Sequence, residues 1–111
     1  MANRSKDRGT RWESAVVAYL RTWWPNAERR ALSGSADQGD VAGVIGVCIE
    51  AKAATSRDLP AWLRELDAEV INSQADVGAL WCKSVGAASA ESGIVVMRPA
   101  QFVALLKEAG Y

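Results

Sequence analysis

Gly39-Asp40-Val41-Ala42-Gly43-Val44-Ile45-Gly46-Val47-Cys48-Ile49-Glu50-Ala51-Lys52 is the stretch on which the reading of this chain turns. Asp40 is followed, after nine intervening residues, by Glu50-x-Lys52 at the end of an apolar run. The runs flanking Ile45-Gly46 alternate and are rich in β-branched residues, so they read as paired strands joined by a short turn. Three-residue hairpin loops place Gly last, in the left-handed conformation. Taking Val44-Ile45-Gly46 as that loop pairs Gly43 with Val47, Ala42 with Cys48 and Asp40 with Glu50. Strand side chains alternate between faces, so Asp40, Glu50 and Lys52 project to one side. Two carboxylates directly opposite each other repel. A hard divalent cation between them removes that penalty, since such cations prefer oxygen ligands. An ammonium two residues further on positions a water or polarises a substrate. Together these are the outline of a metal-dependent phosphodiesterase site.

A chain of 111 residues, half of them apolar, is one globular domain with an adequate core. No apolar run reaches membrane-spanning length and Met1 to Lys6 has no signal-peptide core, so a soluble, cytoplasmic protein is expected. Cys48 and Cys82 both fall in expected strands and read as buried free thiols rather than a metal or disulfide pair. There is no histidine. That excludes Ser-His-Asp and Cys-His hydrolases, His-rich zinc sites and nucleases with a histidine base. Catalysis must come from carboxylates, lysine, hydroxyls and a metal. Thirteen basic residues balance thirteen acidic ones, which argues weakly against nucleic acid. The distribution argues back: Arg4, Lys6, Arg8 and Arg11 crowd the N-terminus and Arg29-Arg30 precede the acidic stretch. A neutral total can hide a basic face.

Residues 1–9 read as a basic, flexible arm and residues 10–111 as the domain. Thr10 is placed to cap a helix running to about Trp24, stopped by Pro25, with Trp12, Val16, Val17, Tyr19/Leu20, Trp23 and Trp24 on its apolar face. Glu13 borders that face; its plain explanation is a first-turn interaction with the helix dipole. Residues 27–32 read as a strand and 33–39 as a Gly/Ser/Asp loop before the hairpin. Asp58 or Ser56 caps a second helix with Pro60 in its first turn and Leu59, Trp62/Leu63, Leu66, Val70 and Gln74 along its buried stripe. Strands at 77–83 and 94–98 and a helix from Ala100 to Ala109, closed by Gly110, complete the order α-β-β-β-α-β-β-α. The expected fold is α/β, with a mixed central sheet flanked by helices.

This pattern resembles the PD-(D/E)XK nuclease superfamily, and within it the archaeal and phage-type Holliday-junction resolvases, over roughly residues 8–83. The likeness is carried by Arg8-Gly9-x-x-x-Glu13, Arg29-Arg30 with Ser33-Gly34-Ser35, Gly39-Asp40-Val41 and Ile49-Glu50-Ala51-Lys52. It implies a restriction-endonuclease-like α-β-β-β-α-β core. It implies that Asp40 and Glu50 bind Mg2+ (with Mn2+ as a substitute), that Glu13 completes the acidic cluster, and that Lys52 orients the attacking water. Ser33 or Ser35, and Arg29 or Arg30, would hold the scissile phosphate. Gln74 stands about where some members carry a helper glutamine. Gly39 replaces the superfamily's usual Pro, and the Asp-to-Glu hairpin is shorter than in many resolvases.

The resulting expectation is a Mg2+-dependent DNA endonuclease acting on branched or four-way junction DNA. It would act as a homodimer, in the cytoplasm (the host's, if phage-encoded). Arg4, Lys6, Arg8, Arg11, Arg29 and Arg30 would contact DNA. Two rivals remain: a nicking, restriction-like or end-processing nuclease of the same chemistry, and an inactive DNA-binding module. The five tryptophans have helical or strand spacing that favours core over base stacking. Gln74 is better explained as a hydrogen-bonding core group than as a helper. Lys83 and Arg98 read as ordinary charges ending their strands.

Overall fold

The computed structural model describes residues 4–31, 36–54, 56–86 and 89–111, with side chains from Lys6 onward. Helix α1 spans Arg4–Leu20, strands β1 Glu28–Arg29, β2 Val41–Ala42 and β3 Val47–Lys52. Helix α2 spans Leu59–Ser73, β4 Val77–Cys82, β5 Ile94–Val96 and α3 Pro99–Glu108, with a single 3-10 turn at Ala90–Ser92. The protein is an α/β domain with a mixed sheet. No helix among the described residues is long and apolar enough to cross a membrane.

The central sheet has the order β3-β4-β5. β3 and β4 run parallel, joined by the α2 crossover, with Glu50 beside Leu80 and Lys52 beside Cys82. β5 lies antiparallel on the other edge of β4. Helices cover both faces of β3, which explains its apolar opening Val47-Cys48-Ile49. Ile49 and Ala51 pack into a cluster with Trp12, Val16, Val17 and Leu20 of α1. Cys48 joins Leu66, Leu80 and Cys82 in a second cluster under α2. The alternation of β3 therefore turns Glu50, like Cys48, toward α2. Gly78 lets α2 sit close, since a Cβ there would stand 2.3 Å from Val70 Cγ2.

Four expectations need correction. The N-terminal segment is not a separate arm: α1 begins at Arg4, six residues before Thr10. Lysine and arginine are good helix formers, and Asp7 in the first turn suits the dipole, so a solvated turn extends without a core beneath it. The helix also ends earlier, at Leu20, and passes into turns in which Trp23 and Trp24 are 57% and 44% exposed. The expected strand at 27–32 is reduced to the two residues of β1, with Leu32 outside the described residues.

The hairpin is altered most. β2 forms its ladder with β1, pairing Glu28 with Ala42 and Arg29 with Val41, and β3 gives its ladder to β4. β2 and β3 stay in touch through Asp40 N–H donating to Ile49 O at 2.9 Å, so Asp40 stands opposite Ile49 rather than Glu50. A one-residue slip ordinarily flips a side chain to the other face. Here Gly39 has φ +91 and interrupts the extended run just before Asp40, so strict alternation does not govern that side chain. Gly43, at φ +90, is pressed against Asn26, where a Cβ would stand 2.2 Å from the carbonyl oxygen. The turn is shaped by its contact with the α1–β1 connection, not by local hairpin geometry.

Candidate metal centre

Asp40 is held at both ends: its N–H donates to Ile49 O and its Oδ2 accepts from Ala51 N–H at 2.8 Å. This folds the carboxylate back over β3 and beside Glu50. Glu50 is 7% exposed. Its Oε1 lies 4.0 Å from Lys52 Nζ, and its Oε2 is buried with no donor among the described residues. Asp40, Glu50 and Lys52 thus meet at one place, although the route differs from the expected cross-strand pair. Gly39 makes the approach possible, since a Cβ there would stand 2.9 Å from Cys48 Sγ and 3.0 Å from Ile49 O.

The electrostatics of the pair are set first by burial. Burial first, then the Glu50 charge, pushes Asp40 up to about 8. Burial first, then the shared hydrogen bond and charge of Glu69, pushes Glu50 up to about 9. The Lys52 ammonium is favoured on balance. Burial works against it, but Glu65, Glu50 and Asp40 outweigh that and raise its pKa. Its Nζ is anchored by Glu65 Oε2 at 2.9 Å and lies 5.5 Å from the centre of the Trp62 ring. The lysine is a fixed cation at the rim of the carboxylates.

Glu13 lies in the middle of α1, beyond the first turn, so the dipole explanation no longer applies. Its Oε2 accepts from Arg29 Nη2 at 2.9 Å and from Nε at 3.1 Å. Its charge also acts to raise the Asp40 pKa, which puts it in electrostatic reach of the pair. Arg30 turns instead to Gln38 Oε1 at 3.2 Å and Val41 O at 3.4 Å, leaving its buried Nε without a partner. Ser33 and Ser35 lie outside the described residues, as does the side chain of Arg4. Gln74 does not join the carboxylates as part of a buried stripe. It is exposed, at φ 56, and its backbone closes α2.

Two carboxylates escaped the sequence reading. Glu69 of α2 is 3% exposed, and its Oε2 has no donor among the described residues. Burial raises its pKa, against the lowering effect of its hydrogen bond to Glu50. One carboxylate oxygen of Glu69, one of Glu50 and one of Asp37 all lie within 4.8 Å of one another. The signal for Glu69 was present: it follows Leu66 by three residues and Trp62 by seven, so it sits on the apolar stripe. Asp37 carried no comparable mark, being one polar loop residue among several.

Beside Lys52 runs a cationic groove. One cavity of about 440 Å³ is lined by Arg8, Lys52, Ser56 and Trp62, among others. A second, of about 250 Å³, shares Arg8 and adds Arg57, Lys83 and Ser84. No acidic residue lines either among the described residues. Arg57 and Lys83 were not singled out as binding residues in the sequence; Arg57 Nη2 donates to Lys83 O at 3.2 Å and so fixes the far wall. Lys6 and Arg11 are exposed on α1, with Arg11 Nε 3.4 Å from Asp7 O.

No family matches. Neither a curated protein nor a solved structure matches the chain.

Proposed function

We propose that this chain is a metal-dependent endodeoxyribonuclease. One observation carries the reading: the Asp40 and Glu50 carboxyls converge beside the Lys52 ammonium, and Lys52 itself lines a cavity that shares Arg8 with a second one lined by Arg57 and Lys83. The donor set suits a hard cation. It is all oxygen, and one of its oxygens, Glu50 Oε2, is buried without a donor among the described residues. Asp40 and Glu50 would hold Mg2+ or Mn2+. When bound, the cation supplies a water of lowered pKa and neutralises charge growing on the phosphoryl oxygens.

The chain's own residues account for the rest. Lys52, pinned by Glu65 and Trp62, orients the attacking water and stabilises the developing negative charge. Arg8, Arg57 and Lys83 receive phosphates of the strand on the lysine side. Glu13 places Arg29 and adds negative potential near Asp40. With no histidine in the chain, proton handling in this cleft falls to lysine, carboxylates and hydroxyls.

The α1-to-β4 run is read as a restriction-endonuclease-like core, a reading supported by the parallel β3–β4 pair and its α2 crossover. The preferred substrate is branched or four-way junction DNA, cut by a homodimer in the cytoplasm of the cell or phage host. Exposed Val95, Phe102 and Val103 favour a second copy as partner, since α3 buries none of its residues within the chain. Incubation with junction, duplex and single-stranded DNA, in Mg2+ and in EDTA, tests the reading. Cleavage in Mg2+ alone, fastest on the junction, is expected. No cleavage of any DNA would overturn it.

A further inference from the structure

A second grouping of oxygens lies beside the pair expected from the sequence. Asp37, Glu50 and Glu69 each bring one carboxylate oxygen within 4.8 Å of the other two. Oxygens on opposite sides of one cation stand apart by twice the bond length, about 4.1 Å for Mg2+ and about 4.6–5.2 Å for Ca2+. Three oxygens cannot all be opposite one another; at the 4.8 Å limit a central ion would stand about 2.8 Å from each, so binding asks for a closure of a few tenths of an ångström for Ca2+ and up to about 0.7 Å for Mg2+.

Clustered acids at a surface need no ion, but these are not all at the surface. Glu69 is 3% exposed and Glu50 7%. Oε2 of each is buried and receives no hydrogen bond from any described residue. The nearby cations leave these two Oε2 atoms uncovered: Lys52 is held by Glu65 at 2.9 Å and reaches Glu50 only at Oε1, at 4.0 Å, Arg29 pairs with Glu13, and Arg30 turns to Gln38 and Val41 O. Leaving buried carboxylate oxygens unpaired is costly, so a cation or a shared proton is required. The third arm is built as well. Asn72, on α2 three residues beyond Glu69, donates through Nδ2 to Asp37 O at 2.8 Å. Gly39 N–H donates to Asp37 Oδ1 at 2.9 Å. The loop is therefore tied to the helix that carries Glu69.

We propose that Asp37, Glu50 and Glu69 form a second divalent-cation position, adjoining the Asp40–Glu50 position, with the Glu50 carboxylate bridging the two. Two cations sharing a carboxylate can stabilise both the attacking and the leaving oxygen of a phosphodiester. That role rests on the nuclease reading; the binding itself does not.

Mn2+ titration of the full chain without DNA, by calorimetry and electron paramagnetic resonance, tests the proposal. The wild type is expected to take up two Mn2+ per chain. Glu69→Gln and Asp37→Asn should each keep one, and their spectra should lose the spin coupling of a bridged pair. Asp40→Asn should also keep one, and Glu50→Gln should lose most of both. Glu69→Gln preserves shape and can still hydrogen-bond Glu50, so a proton-sharing role would leave Mn2+ uptake unchanged and overturn the proposal. Asp37 is exposed, so Asp37→Asn keeps the test valid if Glu69→Gln does not fold. One Mn2+ per chain in the wild type, lost with Asp40→Asn alone, would overturn the second position and leave the nuclease reading intact. Two bound Mn2+ without cleavage of any DNA would do the reverse.

Discussion

Lys52 is the residue whose surroundings explain most. A compact ammonium is strongly hydrated, and burying it beside carboxylates costs desolvation that only near-ideal partners offset. Glu65 at 2.9 Å, Glu50 at 4.0 Å and the Trp62 face supply those partners. Lys52→Ala is expected to slow DNA cleavage about 10²–10³-fold in single-turnover assays, as for the loss of one fixed electrostatic group. Asp40→Asn and Glu50→Gln should abolish cleavage while leaving DNA affinity equal or tighter, measured by fluorescence anisotropy, because each removes a charge that repels phosphate. Wild-type rates in either variant would place the chemistry elsewhere. Asp40 and Glu50 were legible in the sequence because the local spacing carries them. Glu69 was legible only as an acid on an apolar stripe, and what it meets across the sheet has no local signature.

At the scale of elements, α2 is both the crossover between parallel strands and one wall of the proposed metal centre. It brings Trp62, Glu65 and Glu69 onto the face to which β3 turns Glu50. Its seating depends on Gly78, where a Cβ would stand 2.3 Å from Val70 Cγ2. Gly78→Ala should therefore destabilise the fold by about 1–3 kcal/mol, read by urea unfolding, through overpacking of α2 on β4. The groove between α1 and the β4 exit belongs to the same scale. Arg57→Ala and Lys83→Ala should each reduce the log–log salt dependence of DNA binding by about 0.7–0.9 and weaken all DNA shapes alike. An unchanged slope in both would mean that the strand does not follow this groove.

For the whole molecule, the buried carboxyls set a pH dependence. Unfolded, Asp40 and Glu50 titrate near about 4; folded, they are raised to about 8 and about 9. The native state thus binds more protons than the unfolded state between those values. The stability tied to these protons is fully present below about pH 4 and is lost as pH rises through 8 to 9, at up to about 1.4 kcal/mol per pH unit for each proton. The melting temperature of the metal-free protein should fall from pH 5 to pH 9, and Mg2+ should raise it more at pH 8 than at pH 5. A flat profile would show that the pair is solvated. The exposed apolar surface on β5 and α3 is the other global feature. Sedimentation should show a dimer that Val95→Lys or Phe102→Glu converts to monomer; a wild-type monomer at micromolar concentration would remove the dimer from the proposal.

Local pattern was enough for α2, with Pro60 in its first turn, but left its cap open between Asp58 and Ser56; the structure selects Asp58, whose Oδ1 accepts from Ala61 N–H. It was enough for β3 and β4, whose apolar runs suit burial on both faces, and for α3 between Pro99 and Gly110. It also placed Asp40, Glu50 and Lys52 near one another, because their spacing is short and their chemistry shared. The hairpin register, the N-terminal turn of α1 and the third and fourth carboxylates were decided by tertiary structure. β3 gains more by burying a parallel ladder against β4 than by pairing with two residues of β2, and no rule confined to the turn weighs that choice. Asp40 reaches Glu50 only because Gly39 bends the chain and Ala51 N–H holds the carboxylate. Asp37 and Glu69 are 32 residues apart in sequence and meet because α2 folds back over β3, an arrangement fixed by packing and invisible to spacing.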